Sequence, residues 1–181
     1  MMPPAVAARS VATVVAPAAT EARVVVGIGE FAVVTRPEQT IVTHALGSCI
    51  AVCLFDPVAG VAAMLHFLLP ESAINQERAR LQPAAFADTG IPLLFQTAYH
   101  YGLEKKRTIV KLAGGAEVSE TSGASLQIGK RNALAAKNLM WRNGVLVKSH
   151  DVGGHVARTV HLSARDGRLQ VFNGRELLKE L

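Results

Sequence analysis

Runs of apolar residues with the length of β-strands follow one another over the first part of the chain. They are rich in valine, isoleucine and alanine, and glycine or proline interrupts them. The runs predict strands over residues 24–28, 31–34, 41–43, 50–55 and 60–69, with 31–34 either extending the first strand or forming a second one. Apolar residues are nearly continuous within the last two runs, which predicts strands that are buried on both faces.

A polar segment and a helical pattern come next. Residues 72–89 have loop composition, and a loop of that length is long for a compact domain, which hints at function. Apolar residues then recur at helical spacing over residues 91–101. We expect Asp88 or Thr89 to cap this helix, with Pro92 in its first turn.

The last part of the chain combines a second helix with further short strands. The helix is predicted over residues 129–142, and residues 175–181 are predicted to form a short C-terminal helix. The strands are predicted over residues 108–112, 145–148, 159–162 and 169–172, the last two joined by a tight turn at Asp166-Gly167. Strands dominate over two main helices, which indicates a mixed α/β fold built from packed layers.

Composition is typical of one globular domain. Of the 181 residues, 50% are hydrophobic and 18% are charged, which is enough apolar material for a sizeable core. No apolar run approaches the roughly 18 residues that a membrane helix needs. The predicted organisation is a flexible Ala/Val/Pro-rich tail over residues 1–22, a domain over 23–175 and a short C-terminal segment over 176–181.

The N-terminal tail has some features of a secretory signal. Arg9 precedes a short apolar stretch, and Ala16-Pro17-Ala18 resembles a cleavage site. However, the apolar stretch is interrupted, and Pro3 and Pro4 stand where basic residues would be expected. We therefore expect a cytoplasmic protein without membrane insertion, and a monomer by default.

The charge balance is basic, with a formal net charge of +5 and a pI near 9.6. Such a protein could bind nucleic acid, anionic lipid or an acidic protein surface. The basic residues are scattered apart from Lys105-Lys106-Arg107, and aromatic residues make up only 5% of the chain. This pattern argues against nucleic-acid binding.

The two cysteines, Cys49 and Cys53, cannot form a disulfide with each other if they share a strand. Their Cα atoms would then be about 13 Å apart, at ~3.3 Å per residue. A disulfide needs Cα atoms within about 7 Å. The absence of a disulfide framework indicates a reducing compartment.

Cys49 directly follows Gly47-Ser48 at the start of an apolar run, a placement that suits a nucleophile. Glycine permits a tight turn there, and backbone N–H groups freed at the turn can stabilise an oxyanion. A hairpin formed by residues 50–55 and 60–66 would bring His66 back beside the thiol as a base. Thr43, on the incoming strand, could orient the imidazole.

Other interpretations of these residues stay open at this point. A cysteine flanked by apolar residues is usually a small core residue, and Cys53 is best explained that way. Cys49, Cys53 and His66 together lack the usual spacing of a zinc site. His44 would face the opposite side of the strand from Thr43, so His66 is the better candidate base.

The sequence resembles the chemoreceptor glutamine deamidase family of bacterial chemotaxis, CheD. The motifs that carry the resemblance run in family order from about Val26 to Val160. They are THALGSCIAVCLFDP, GVAAMLHFLLP, FADTGIPLLF, VKLAGGAEV, IGKRNA and DVGGHVARTV. The LGSC element followed by an aspartate and by H-x-x-L-P is specific, and the AGGA and D-x-G-G elements add to it.

The resemblance implies a three-layer α/β/β sandwich and a cysteine hydrolase with no cofactor and no metal. Its catalytic triad would be Cys49, His66 and Thr43, acting on glutamines of methyl-accepting receptors. The implied partners are the cytoplasmic helices of chemoreceptors and the chemotaxis phosphatase CheC. The chain departs from the family pattern at His44-Ala45, His155 and Ala157, which bears on substrate preference more than on reaction type.

Three other functions remain open on the sequence. Glutamate methylesterase activity would use the same acyl chemistry on the same receptors. A thiol amidase with a different protein target would keep the site and change the substrate. A non-catalytic module that binds CheC or receptors would need no catalytic residues. The intact set of Cys49, His66 and Thr43 argues against such a module.

Overall fold

The computed structural model describes residues 22–117 and 127–181, and most of the predicted tail, residues 1–21, lies outside them. The described residues form two five-stranded sheets. In spatial order the first sheet consists of β1 (Ala22–Val25), β3 (Gln39–Leu46), β8 (Arg158–Ser163), β9 (Leu169–Asn173) and β10 (Glu176–Glu180). The second consists of β2 (Glu30–Val34), β5 (Val61–Phe67), β4 (Ile50–Asp56), β6 (Ile109–Gly114) and β7 (Val147–Val152).

The second sheet is the middle layer of the molecule. Every residue of β4 and β5 is buried, as the continuous apolar runs predicted. Ala51, Cys53, Phe55, Ala62 and Met64 belong to the core shared with the first sheet, and Val52, Leu54, Ala63, Leu65 and Phe67 to the core shared with the helices. The helices are α1 (Gln76–Leu81), α2 (Ala87–His100) and α3 (Ile128–Arg142). The predicted α/β/β sandwich is thus confirmed.

The hairpin of β4 and β5 determines the geometry of the candidate site. The two strands are antiparallel, with Ala51 opposite His66 and Asp56 opposite Val61. β4 also pairs with β6, so it is flanked by strands on both sides. The hairpin predicted from the Asp56-Pro57 turn is therefore confirmed, and it returns His66 to the end of β4 where Cys49 lies.

The structure decides between the two alternatives for residues 31–34 and corrects the expected C-terminal helix. The segment 31–34 forms a second strand and does not extend the first, because β2 pairs with β5 in the other sheet. Residues 175–181 do not form a helix, because β10 pairs antiparallel with β9 instead. A segment of this length is too short to be a stable isolated helix, whereas an open sheet edge supplies backbone partners.

The segment 72–89 is more ordered than its polar composition suggested. It contains α1, which begins after an Asn75 side chain that accepts a hydrogen bond from Arg78 N at 2.9 Å. The predicted caps of α2 are wrong, because the helix begins at Ala87, with Pro92 in its interior rather than its first turn. Asp88 instead accepts hydrogen bonds from the backbone and hydroxyl of Ser72.

Within residues 22–117 and 127–181, no helix has both the length and the apolar character required to cross a membrane.

Candidate active site

The fold brings the three predicted site residues to one end of the core between the sheets. Thr43 lies on β3 of the first sheet, His66 on β5 of the second, and Cys49 immediately before β4. Thr43 and His66 are fully buried, and Cys49 is 5% exposed. The pleat of each strand turns these side chains toward the space between the sheets, since Ile41, Ala51 and Met64, two positions away, belong to that core.

A hydrogen bond from Thr43 determines which nitrogen of His66 carries the proton. The Thr43 hydroxyl lies 2.6 Å from the Val26 carbonyl oxygen and 2.8 Å from His66 Nδ1. A carbonyl can only accept, so the hydroxyl donates its one proton to Val26. Its oxygen must then accept from His66 Nδ1–H, which leaves the lone pair of the neutral ring on Nε2.

The Nε2 atom of His66 is available as a base. It is buried and has no hydrogen-bond partner within the described part of the chain. Burial lowers the pKa of His66 from 6.5 to about 4, because the apolar surroundings disfavour the imidazolium. The imidazole is therefore neutral near physiological pH, with its lone pair free to accept a proton.

Cys49 rests as a protonated thiol. Burial raises the pKa of its thiol above the ordinary value of 9.0, and its own backbone N–H offsets part of that rise. Because Ala51 is opposite His66 in the ladder, Cys49 stands diagonally across from His66. Diagonal neighbours are about 7–8 Å apart at Cα, within reach of long side chains. Both shifts favour a neutral thiol beside a neutral imidazole over a preformed thiolate–imidazolium pair.

The loop before Cys49 presents backbone donors. The Ser48 and Cys49 N–H groups donate to no other residue in the described ranges, and that of Cys49 faces its own sulfur. The loop is entered through a bulge of β3, in which Ala45 has φ of 56°, a left-handed conformation that is uncommon for alanine. These two N–H groups are candidate donors for an oxyanion that forms at Cys49.

Two glycines and an asparagine that support this loop were not predicted as site residues. Gly115 N donates to Cys49 O at 2.7 Å, and a Cβ on Gly114 would overlap that same oxygen. Asn132, on α3, donates to Ser48 O at 2.9 Å and to Leu68 O at 2.8 Å. These contacts give a structural role to Gly114 and Gly115 of the AGGA motif and to Asn132 of the IGKRNA motif. The sequence contained one indication of this role: Asn132 lies on the same face of its helix as the buried Ala136 and Met140, which is an unusual position for a polar residue.

The other residues considered as candidates lie elsewhere. His44 is exposed, and its Nδ1 lies 3.4 Å from the Thr159 hydroxyl. Cys53 lies between Met64 and Lys111 in the sheet, and burial raises the pKa of its thiol to about 12. No group of three potential ligands among histidine, cysteine, aspartate and glutamate forms a metal site in residues 22–117 and 127–181.

The departures from the family pattern lie on the surface around the loop. His155 is exposed, and its Nδ1 donates to the carbonyl oxygen of Glu117 at 3.0 Å. Glu117 in turn is held by Gly154, whose carbonyl accepts from Glu117 N at 2.9 Å. Ala116, the residue before Glu117, donates its backbone N–H to Gly47 O at 2.8 Å. The segment that carries His155 is therefore connected to the Cys49 loop through the backbone of residues 116 and 117.

Comparison with known proteins identifies the family of this chain. A family model described as CheD chemotactic sensory transduction matches residues 68–173, more than half of the chain. The probable chemoreceptor glutamine deamidase CheD 1 of Syntrophus aciditrophicus is 41% identical over 158 residues, covering 87% of this chain and 98% of that protein. CheD 2 of Anaeromyxobacter dehalogenans, also named a probable chemoreceptor glutamine deamidase, is 48% identical over 83% of this chain and 94% of its own length. The chemoreceptor glutamine deamidase CheD of Thermotoga maritima is 40% identical over 81% and 89%, respectively. With relatives this similar over most of its length, the chain belongs to the CheD family.

Proposed function

We propose that this protein is a cysteine hydrolase that converts glutamines of chemoreceptors to glutamates. The observation that carries the proposal is the hydrogen-bond chain from Val26 through Thr43 to His66, which leaves a buried, neutral Nε2 on the same side of the sheet as the Cys49 thiol. The relatives named above supply the substrate class. The roles of Cys49 as nucleophile, His66 as base and Thr43 as orienting residue are part of this proposal.

The first half of the reaction forms a thioester. His66 Nε2 takes the proton of the Cys49 thiol, and the thiolate sulfur bonds to the carboxamide carbon of the glutamine. The carbonyl π electrons move to oxygen, where the Ser48 and Cys49 N–H groups stabilise the negative charge. The intermediate then re-forms its carbonyl and breaks the C–N bond, while His66 returns its proton to the departing nitrogen, which leaves as ammonia.

The second half of the reaction releases the product. Water attacks the thioester carbon as His66 Nε2 takes a proton from it, and the same N–H groups stabilise the second oxyanion. Collapse breaks the C–S bond, and the sulfur recovers its proton from His66. A neutral carboxamide has become a carboxylate, so each turnover adds one negative charge to the receptor. On a helical bundle that charge changes the repulsion between neighbouring turns and helices.

The depth of the site suits a side-chain amide better than a backbone amide. Cys49 is almost completely buried, while the neighbouring Gly47 and Ser48 are half-buried at the surface. The long side chain of a glutamine can carry its carboxamide past this rim while the substrate backbone stays outside. Backbone hydrolysis would require an extended peptide to enter the core between the sheets. The basic balance of +5 also favours an acidic protein surface as substrate.

A receptor cytoplasmic fragment provides the test. It would be incubated with the native protein, with Cys49→Ala and with Cys53→Ala, and each glutamine would be followed by peptide mass spectrometry. We expect conversion of specific glutamines by the native protein and by Cys53→Ala, but not by Cys49→Ala. Cys53 is a matched control, because it is also a buried cysteine and lies only four residues after Cys49, on β4.

Other outcomes would point to the other functions. Equal conversion of an unstructured glutamine peptide would favour a thiol amidase of another target. Loss of methyl esters from the receptor under the same conditions would show that the protein is also a glutamate methylesterase. No conversion in any receptor from the same cell would contradict the proposal and favour a binding module. Binding of CheC stays a prediction of the family resemblance.

A further inference from the structure

Asn132 connects the chain segment before Cys49 with the segment after His66, and it does so from the helix layer. It is fully buried on α3, and its side-chain amide lies 2.9 Å from the Ser48 carbonyl oxygen and 2.8 Å from that of Leu68. Both neighbours can only accept, so the contacting atom is the amide nitrogen, which donates both of its protons. One acceptor directly precedes Cys49, and the other lies two residues after His66.

Two glycines allow α3 to come close enough for this contact. A Cβ on Gly129, one helical turn before Asn132, would overlap the Gly115 carbonyl oxygen. A Cβ on Gly115 would in turn lie 2.9 Å from the carbonyl oxygen of Gly129, too close for any side chain. The helix therefore docks through bare backbone against the segment that follows β6, which places Asn132 under the Cys49 loop.

The planarity of the peptide bond gives the contact with Ser48 its significance. The Ser48 carbonyl and the Cys49 N–H belong to one trans peptide unit, so they point in opposite directions. When Asn132 draws the Ser48 oxygen toward the helix layer, the Cys49 N–H must point away from that layer. Its interaction with the Cys49 sulfur is consistent with that direction.

The preceding peptide unit is held in the same way. Ala116 N donates to Gly47 O at 2.8 Å, and the Ser48 N–H belongs to the same unit as that carbonyl. Both candidate oxyanion donors are thus directed by a hydrogen bond on the opposite end of their own peptide. The first uses a backbone donor, whereas the second depends on a single side chain, Asn132.

Stability alone does not account for an asparagine at this position. Its Oδ1 atom is buried and accepts no hydrogen bond within residues 22–117 and 127–181. Leaving a buried acceptor unpaired is unfavourable, because the atom loses its hydrogen bonds to water and gains none in return. Such exceptions to polar pairing are expected mainly where function requires them.

We propose that Asn132 is a positioning residue that aims the Cys49 N–H into the oxyanion hole. This inference rests on the proposed thiol hydrolysis. It assigns Asn132 a large effect on the steps that develop an oxyanion and a smaller one on the thiol, whose pKa the Cys49 N–H lowers only in part. Removing the side chain would let the Ser48–Cys49 peptide rotate, and the donor would be misaligned when charge develops.

The test compares a reaction that needs the oxyanion hole with one that does not. Deamidation of the receptor fragment and alkylation of Cys49 by iodoacetamide would be measured for the native protein, Asn132→Ala, Asn132→Ser and Asn138→Ala. Alkylation is a displacement at carbon that forms no oxyanion. Asn138 lies exposed on the same helix and is a matched control. Denaturant unfolding would establish that each variant is folded at the assay temperature.

We expect kcat for Asn132→Ala to fall about 10- to 100-fold, below the roughly 10²–10³-fold loss that follows complete removal of an oxyanion donor. KM should stay within about twofold of the native value, and the alkylation rate should fall much less than kcat, because alkylation feels only the small effect of the Cys49 N–H on the thiol pKa. Asn132→Ser keeps one donor and should lose less. Unchanged kcat in Asn132→Ala, or an equal loss in alkylation, would overturn the assignment.

A measurement on the native protein covers the case in which the Asn132 variants do not fold. A receptor peptide with an aldehyde in place of the target carboxamide forms a hemithioacetal with Cys49, and its oxygen occupies the oxyanion position. We expect the Cys49 amide proton resonance to move downfield, and an unmoved resonance would overturn the inference. If the native protein deamidates nothing, the proposed function fails as well. If it is active and Asn132→Ala matches Asn138→Ala, only the role of Asn132 fails.

Discussion

The two ends of the β4–β5 hairpin treat buried polar groups in opposite ways. At the turn end, Asp56 is fully buried and its carboxylate is completely satisfied. It accepts from the backbone N–H groups of Val58, Ala59 and Glu104 at 2.9–3.1 Å, and from Arg107 at 3.0 Å. Burial on its own would raise the pKa of Asp56, but Arg107 and these N–H groups outweigh it and lower the pKa to about 2.

At the Cys49 end the buried polar groups are only partly paired. His66 Nε2 and Asn132 Oδ1 have no partner within the described residues, and Ala45 adopts a left-handed backbone conformation. Burial raises the pKa of Cys49 and lowers that of His66, so both side chains favour their neutral forms. The turn end thus uses its polar groups to stabilise the fold. The Cys49 end leaves His66 Nε2 unpaired, as the proposed role of His66 as a base requires.

The sharpest contrast between the two ends is catalytic. We expect His66→Asn to lower kcat by up to about 10⁴-fold, because it removes the proton-transfer group while an amide N–H can still reach Thr43. Asp56→Asn should leave kcat per folded molecule unchanged. Steady-state deamidation of the receptor fragment measures both. A comparable kcat loss in the two variants would show that the ends are not functionally distinct.

Stability should respond in the opposite sense. Asp56→Ala leaves the turn N–H groups and the partly exposed Arg107 without their buried acceptor, and losing the acceptor of such a network costs about 1–3 kcal/mol or more. Cys49→Ala, at the other end, should change the free energy of unfolding by no more than about 1 kcal/mol, since it removes one small group. Urea denaturation followed by circular dichroism compares them. Equal losses would contradict the assignment of the turn end as the stabilising one.

The two ends should also lose stability in different pH ranges. The folded-state pKa of His66 is lowered to about 4, so between pH 6.5 and 4 the unfolded chain binds more protons than the folded one. This contribution, on the order of 3 kcal/mol, is complete above pH 6.5 and is lost as the pH falls to about 4. The contribution of Asp56 is complete above its unfolded value of 3.8 and is lost toward pH 2.

Two variants separate these ranges. In urea titrations at several pH values, His66→Asn should remove most of the decline between pH 6.5 and 4, to which His161 also contributes, and keep the decline at lower pH. Asp56→Asn should keep the upper decline and weaken the lower one, which Asp166 shares. A native-like decline in the upper range for His66→Asn would mean that another group is responsible for it.

The smallest expected effect concerns the bulge that leads into the Cys49 loop. Ala45 is exposed, and its φ of 56° is more easily adopted by asparagine. Ala45→Asn should raise the free energy of unfolding by roughly 0.5 kcal/mol, whereas a β-branched Ala45→Val should lower it by about 1 kcal/mol or more. Ala73→Asn, at an exposed alanine with negative φ, is the control. An equal gain in the free energy of unfolding for Ala73→Asn would show that the left-handed conformation of Ala45 is not the cause.

Local patterns in the sequence predicted the hairpin and the return of His66 to the end of β4 where Cys49 lies. The apolar runs and the Asp56-Pro57 turn are signals within a short stretch of chain, and two-faced burial follows from their continuity. The bounds of individual elements were less predictable. The segment 175–181 became a strand because the edge of β9 was available, which the segment itself does not encode.

Contacts between distant segments could not be predicted in the same way. Asn132 bonds Ser48 across 84 positions and Leu68 across 64, and nothing near Asn132 in the chain specifies those acceptors. Likewise, Asp88 reaches back to Ser72 instead of capping its own helix. Long-range polar contacts depend on how the layers dock, which is decided by packing rather than by local propensity.

Interception of the acyl intermediate by hydroxylamine tests most directly whether Cys49 acts through a thioester. The native protein would be incubated with the receptor fragment and hydroxylamine, and the modified glutamines would be read by mass spectrometry. A thioester partitions between water and hydroxylamine, so we expect hydroxamates beside glutamates at the same positions. Cys49→Ala and hydroxylamine alone should give neither. Glutamate formation with no hydroxamate at any hydroxylamine concentration would contradict covalent catalysis by Cys49.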